Sequence, residues 1–329
     1  MNWNDVPVLV TGAAGFIGSH LVDALAEEGA RVRAFVRYTS RPDPGLLRFP
    51  PPAHMARVEI VRGDLRDAGA VADAMDGCEI VLHLGALIGI PYSYLRPREV
   101  VEVNALGTLN ILEAARRHRP RRLVHTSTSE VYGTAATERI REDHALQGQS
   151  PYSASKIAAD KLVESYRRSF DVPAVTVRPF NTYGPRQSAR AVIPTIITQA
   201  LSSPEIRLGS VTPTRDLTFV EDTVRGFMLA ATADDVVGRE INLGSDAEIS
   251  IGSLADRINH LVGRSIPIVQ EEQRTRPGHS EVQRLHADST LARERLGWEP
   301  RVSLDDGLTR TIAWVREHLD FYRVGTYEV

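Results

Sequence analysis

The chain has 329 residues, 42% hydrophobic and 25% charged, with 24 Gly and 19 Pro, ordinary globular proportions that exclude a disordered, collagen-like or disulfide-framework protein. The formal net charge is −3 with Arg and acidic residues interspersed, so no basic footprint for nucleic acid is present and no nucleic-acid partner is expected. Cys78 stands alone, no basic stretch precedes Val8-Leu9-Val10, and the most apolar run (80–90) is too short to cross a bilayer; a soluble, cytoplasmic protein without a membrane partner is expected.

Apolar runs at 6–10, 32–36, 58–61, 80–84, 123–126 and 174–178 read as buried strands. Between them, 18–28, 68–75, 100–118 and 152–170 read as helices, with the cations of Arg116 to Arg122 suiting a helix C-terminus. This alternation predicts an α/β fold, a Rossmann-type doubly wound parallel sheet with helices on both faces. Beyond Pro179 the pattern changes: Pro185, Pro194, Pro204 and Pro213 interrupt short segments. A helix at 220–231 and a strand at 240–243 return to the sheet pattern, and helices at 251–262 and 305–319 make a smaller C-terminal lobe. The tail from Phe321 is uninformative.

The segment Thr11-Gly12-Ala13-Ala14-Gly15-Phe16-Ile17-Gly18 falls between the first strand and the first helix. In that context Gly12 permits a tight turn, Gly15 lets backbone approach a pyrophosphate, and Gly18 allows close helix packing. The helix N-terminus then offers unpaired N–H groups to phosphate, which points to dinucleotide binding. No acid ends the second strand to take ribose hydroxyls. Arg37, followed by Thr39 and Ser40, suits a 2′-phosphate or stacks on adenine, so NADP and NAD both remain open. Asp64, at the end of the third strand, is either an adenine contact or a helix N-terminal acid.

Only two of the 39 basic side chains are Lys, namely Lys156 and Lys161. Tyr152 and Lys156 are spaced i and i+4, on one face of a helix. An ammonium there favours phenolate and would bring the Tyr152 pKa down toward a value useful for taking a hydroxyl proton. Upstream, Ser127-Thr128-Ser129-Glu130 follows a strand at the carboxyl edge, where open α/β sheets bind ligands, so Thr128, Ser129 and Glu130 are substrate-handling candidates. No metal site is expected.

These features together resemble an extended short-chain dehydrogenase/reductase of the sugar-nucleotide epimerase/dehydratase type. The likeness runs through Gly63-Asp64-Leu65, His83-Leu84-Gly85-Ala86, Asn104 with Gly107-Thr108, Tyr152 with Lys156, Arg178 to Pro185, Arg215-Asp216, Val220-Glu221-Asp222, Arg276-Pro277-Gly278 and Leu296-Gly297-Trp298. It departs at Gly85, commonly Ala in the family. The resemblance implies NADP or NAD, tightly bound and recycled, contacted by Gly12, Gly15, Phe16, Ile17, Gly18, Arg37, Asp64, Leu65, Leu84, Ala86, Tyr152, Lys156 and Pro179. It implies a nucleotide-diphosphate hexose held by Asn181, Arg215 and Arg276 with Arg186 or Arg190, and a homodimer built on a four-helix bundle from 100–118 and 152–170. The division implied is a dinucleotide-binding unit, 1–180 with about 217–245, and a nucleotide-sugar lobe, 181–216 with 246–329.

Within the family, Thr128-Ser129-Glu130 and the stretch after the second strand resemble GDP-mannose 4,6-dehydratases. The segments 87–94 and 187–195 look similar to GDP-N-acetylglucosamine 4,6-dehydratases of legionaminic acid-type pathways. Deoxythymidine-diphosphoglucose dehydratases place Asp where this chain has Ser129. The leading expectation is therefore a 4,6-dehydration in which Tyr152 takes the C4 hydroxyl proton, Thr128 binds the oxyanion, Glu130 removes the C5 proton and Ser129 relays. The alternatives are a nucleotide-sugar 4-epimerase, a UDP-uronate decarboxylase, or a non-catalytic NADP-sensing protein on the same fold.

Overall fold

The computed structural model describes residues 2–40, 43–275 and 277–324. Seven strands, β1 (Pro7–Thr11), β2 (Arg31–Arg37), β3 (Val58–Gly63), β4 (Ile80–His83), β5 (Arg122–Thr126), β6 (Ala174–Pro179) and β7 (Glu240–Leu243), form one parallel sheet. Their order is β7-β6-β5-β4-β1-β2-β3. The sheet is the doubly wound Rossmann type that strand–helix alternation predicts, with β7 added beside β6. Alternation along each strand sorts the core into two layers. Val8 and Val10 face one layer with Leu21 and Phe227, while Leu9 faces the other with Met75, Ile111 and Leu123.

The helices are α1 (Phe16–Glu27), α2 (Ala68–Met75), α3 (Gly107–His118), α4 (Pro151–Phe170), α5 (Val192–Ser202), α6 (Val220–Thr232), α7 (Ile251–Val262) and α8 (Leu304–Glu317), with shorter pieces between. None of the described helices is long and apolar enough to cross a membrane. The strand order reverses between β1 and β4. At that switch the two flanking loops run in opposite directions and leave a crevice beyond the carboxyl ends, where every segment discussed below converges.

Three local departures from the sequence pattern bear on the site. The helix expected over 100–118 begins at Pro97 and passes through wider, π-type turns at Glu102–Leu106 before α3. The apolar segment after β4 contains a short helix, Ile90–Leu95. Helix α4 starts one residue early, because Ser150 and Ser153 cap each other's backbone N–H and Pro151 occupies the first position, where it has no N–H to lose.

Candidate active site

The β1–α1 loop is shaped for close approach. Gly12 has φ +67°, and a Cβ there would lie 2.8 Å from the Gly85 nitrogen. A Cβ on Gly18 would lie 2.2 Å from the Gly12 carbonyl oxygen. Helix α1 has no side-chain cap, so the backbone N–H groups of Phe16 and Ile17 open toward this loop. Thr11 ties β1 to the β4 loop: its hydroxyl accepts from the Gly85 N–H at 3.0 Å and lies 2.7 Å from His83 Nδ1. His83 Nε2 is 3.1 Å from the Thr108 hydroxyl, which itself donates to the Asn104 carbonyl. Burial, then the neighbouring His125, keeps His83 neutral well below its ordinary range.

At the outer end of the crevice, Arg37 and Asp64 stand at the ends of β2 and β3. Arg37 approaches Glu99 at 3.5 Å. Asp64 accepts from the Arg66 guanidinium at 2.7 Å and from its N–H, and this hydrogen bonding draws its carboxyl down to about 2. The helix-capping alternative for Asp64 falls to Asp67 instead, whose carboxylate accepts from Gly69 and Ala70 N–H. Leu65, Leu84, Ala86 and Pro179 follow or end β3, β4 and β6 on the same edge.

Tyr152 and Lys156 lie in the first turns of α4, both buried. Lys156 Nζ donates to the Thr126 carbonyl at 2.7 Å, at the end of β5. Burial lowers its pKa to about 8, opposed by Asp160. The expected acidification of Tyr152 by this ammonium is not met. Burial pushes the phenol up, the Thr128 hydroxyl opposes it by hydrogen bonding, and Glu130 adds to the rise. The ammonium is directed at the Thr126 carbonyl, so burial decides. Thr128 also caps the turn Ser129–Tyr132 by accepting the Glu130 N–H at 3.2 Å. Ser129 is buried, and Glu130 is half-buried.

Glu130 opens into a cavity of about 310 Å³ between the sheet edge and the C-terminal segments. Asn181, Arg190 and Arg215 line the same cavity, as do Gln187, Arg274 and Glu281, which the sequence reading did not single out. Arg215 pairs with Glu281 at 3.0 Å. Arg186 does not join them. It has φ +69°, turns back to α1, pairs with Asp23 at 3.1 Å and lies over the Phe49 ring. Arg276 lies outside the described residues.

This arrangement has relatives. The family model described as GDP-mannose 4,6 dehydratase matches residues 9–311. The chain belongs to the sugar-nucleotide epimerase/dehydratase family. It is 35% identical to a dTDP-glucose 4,6-dehydratase of Streptomyces griseus, over 96% of this chain and 95% of the relative. It is 34% identical to a UDP-glucose 4-epimerase of Mycolicibacterium smegmatis, over 94% and 98%. Among solved structures, the dTDP-glucose 4,6-dehydratase DesIV of Streptomyces venezuelae, determined with NAD bound, superposes with a TM-score of 0.87 at 29% identity, covering 97% of this chain and 99% of that one.

Behind the dyad this epimerase/dehydratase carries a buried polar cluster that spacing alone did not flag. Asp160, one turn beyond Lys156 on α4, accepts from the Ser127 hydroxyl at 2.8 Å and from Arg178 Nη2 at 3.0 Å. Its other oxygen lies 3.3 Å from His125 Nε2. Arg178 continues to the Tyr132 hydroxyl, which donates to Asn242 Oδ1. Asn104, in the π-type turns, accepts from Leu87 N–H at 2.7 Å and donates to the Leu87 carbonyl and the Ser155 hydroxyl. The i+4 spacing from Lys156 to Asp160 was the one sequence signal for the cluster; its other members come from separate strands.

Proposed function

We propose that the protein is a nucleotide-sugar 4,6-dehydratase that uses NAD or NADP and keeps it through the cycle. The observation carrying this reading is Glu130, a carboxylate beside the buried Tyr152 phenol that opens into the Arg-bearing cavity. An epimerase needs one proton acceptor at C4. A dehydratase needs a second base for C5, the role assigned to Glu130 in this reading.

The loop around Gly12, with its close backbone approach and the open N–H groups of Phe16 and Ile17, fits a dinucleotide pyrophosphate. A nicotinamide held there would supply reversible hydride transfer, out of C4 and back at C6. Tyr152 takes the C4 hydroxyl proton and Thr128 hydrogen-bonds the oxygen as it becomes a ketone. That ketone acidifies C5; Glu130 removes the C5 proton and, relayed by Ser129, passes it to the departing C6 hydroxyl, which leaves as water, and C5 regains a proton from Tyr152 as hydride reaches C6. Lys156, held on the Thr126 carbonyl, orients the ligand hydroxyls in front of it. Arg190 and Arg215 answer the diphosphate, with Arg274 beside them. The segments 181–216 and 246–329 form the sugar-nucleotide lobe in this reading. The exposed Val101, Leu106 and Phe170 on and beside α3 and α4 are the surface that a second copy would cover in a homodimer.

Mass spectrometry after incubation with GDP-, UDP- and dTDP-hexoses, with no nicotinamide added, tests this directly. The expected product has lost the mass of water. A product of unchanged mass makes the protein an epimerase, and loss of carbon dioxide from a uronate makes it a decarboxylase.

A further inference from the structure

The loop that brings Gln187 and Arg190 to the cavity starts from a strained backbone. The Gln187 N–H returns to the Gly184 carbonyl at 3.4 Å and closes a four-residue turn, with Pro185 second and Arg186 third. Arg186 has φ +69°. With Pro185 ahead of it, a positive φ in third place is the pattern of a type II turn, where Gly or Asn is usual. This chain puts Arg in that place, although a Cβ disfavours the left-handed region.

The contacts of the turn show what keeps it there. Arg186 Nη2 donates to Asp23 Oδ2 at 3.1 Å, and both side chains are largely buried. The other Asp23 oxygen lies 2.7 Å from His54 Nδ1, in the short helix Pro52–Met55. One turn earlier on α1, His20 Nε2 donates to the Pro185 carbonyl at 3.0 Å. Helix α1 thus grips two successive residues of the turn, Pro185 by its carbonyl and Arg186 by its side chain. Backbone strain of this kind persists only where the surroundings over-determine it, and it clusters at ligand sites.

We infer that Arg186 is a positioning residue for the cavity: its ion pair with Asp23 holds the left-handed turn that delivers Gln187 and Arg190, while its own side chain is turned away to α1. The inference rests on reading this cavity as the nucleotide-sugar site. A backbone role of this sort has a signature that a contact role lacks. Alanine at 186 loses the ion pair and keeps the penalty on positive φ, so the turn relaxes. Glycine loses the same ion pair and the same contact with Phe49, yet adopts the left-handed region freely.

The protein and its variants are titrated calorimetrically with UDP, GDP and dTDP. In Arg186→Ala, the Kd for whichever nucleotide the wild type binds rises about tenfold, because only a fraction of molecules keep the competent turn. In Arg186→Gly it stays within about threefold of the wild type. Asp23→Ala weakens binding as Arg186→Ala does, and adding Arg186→Gly to it restores the affinity. Unchanged affinity in Arg186→Ala overturns the inference. So does an equal loss in Arg186→Ala and Arg186→Gly, the result expected of a side chain that touches the ligand or merely stabilises the fold. If Arg186→Ala does not fold, Asp23→Ala with and without Arg186→Gly decides by the same two criteria. A wild type that binds none of the three nucleotides overturns the reading of the cavity itself, and the inference falls with it.

Discussion

Lys156 is one of two lysines in a chain that otherwise uses Arg for positive charge, and its surroundings explain why Arg would not serve. The buried ammonium makes a 2.7 Å bond to the Thr126 carbonyl. A guanidinium is larger, planar and carries five donors, most of which would find no acceptor there. Lys156→Arg is therefore expected to keep the fold, with an unchanged far-ultraviolet circular dichroism spectrum, while turnover drops by roughly 10²–10⁴, the worth of a positioned acid–base group. Near-normal turnover in that variant would refute the role. Tyr152 carries a related lesson. Its phenol is pushed up by burial against the Thr128 hydroxyl, so Lys156 four residues on does not by itself prepare a phenolate.

At the scale of elements, the parts of the site that lie close in sequence were readable and the parts assembled across the fold were not. The glycine loop, the Tyr152/Lys156 pair and Thr128 to Glu130 each sit within one turn or strand end, where spacing implies geometry. Asp160 meets Arg178 only because α4 packs against β6, and Arg274 and Glu281 reach the Glu130 cavity only because the C-terminal segments fold back over the sheet edge; no local pattern encodes either. Arg186 shows the converse: it follows the Pro185 turn among the substrate candidates, yet φ +69° turns it to Asp23. The π-type turns at Glu102–Leu106 are a further element that periodicity hides, since a wider turn still reads as helix. The wider turns present Asn104 to both the β4 loop and α4. Asn104→Ala would strand the half-buried Leu87 N–H and carbonyl, at a cost toward the lower end of the roughly 1–3 kcal/mol that an unpaired buried group carries. Urea denaturation is expected to show a loss of about 2 kcal/mol. A loss below about 1 kcal/mol would mean that the loop keeps its place without Asn104.

For the molecule as a whole, buried titratable groups set the direction in which stability changes with pH. His20 is lowered to about 4 by burial and then Arg186, His125 to about 4 by burial and then Lys156, and His83 falls well below its ordinary value by burial and then His125. Unfolded, all three take up a proton near pH 6.5. Between about pH 6.5 and 4 the unfolded chain thus binds protons that the folded chain refuses, and stability declines as pH falls, by a limit on the order of 3 kcal/mol per histidine. Asp216 works the other way: burial raises its carboxyl to about 6, so the folded chain takes its proton first and gains stability on acidification. Glu142, also raised by burial, acts in the same direction as Asp216, but two carboxyls oppose three histidines, and the histidines win. At the alkaline end, Lys156 is lowered to about 8, so stability rises with pH from there toward its unfolded value near 10.4. Denaturation midpoints measured from pH 7.5 down to 5 are expected to fall steadily, and the fall should be shallower in His125→Asn, which removes one of the three sites. A midpoint that stays flat or climbs across that range would mean that the buried histidines are charged inside the fold, against the neutral His83 and His125 beside Lys156.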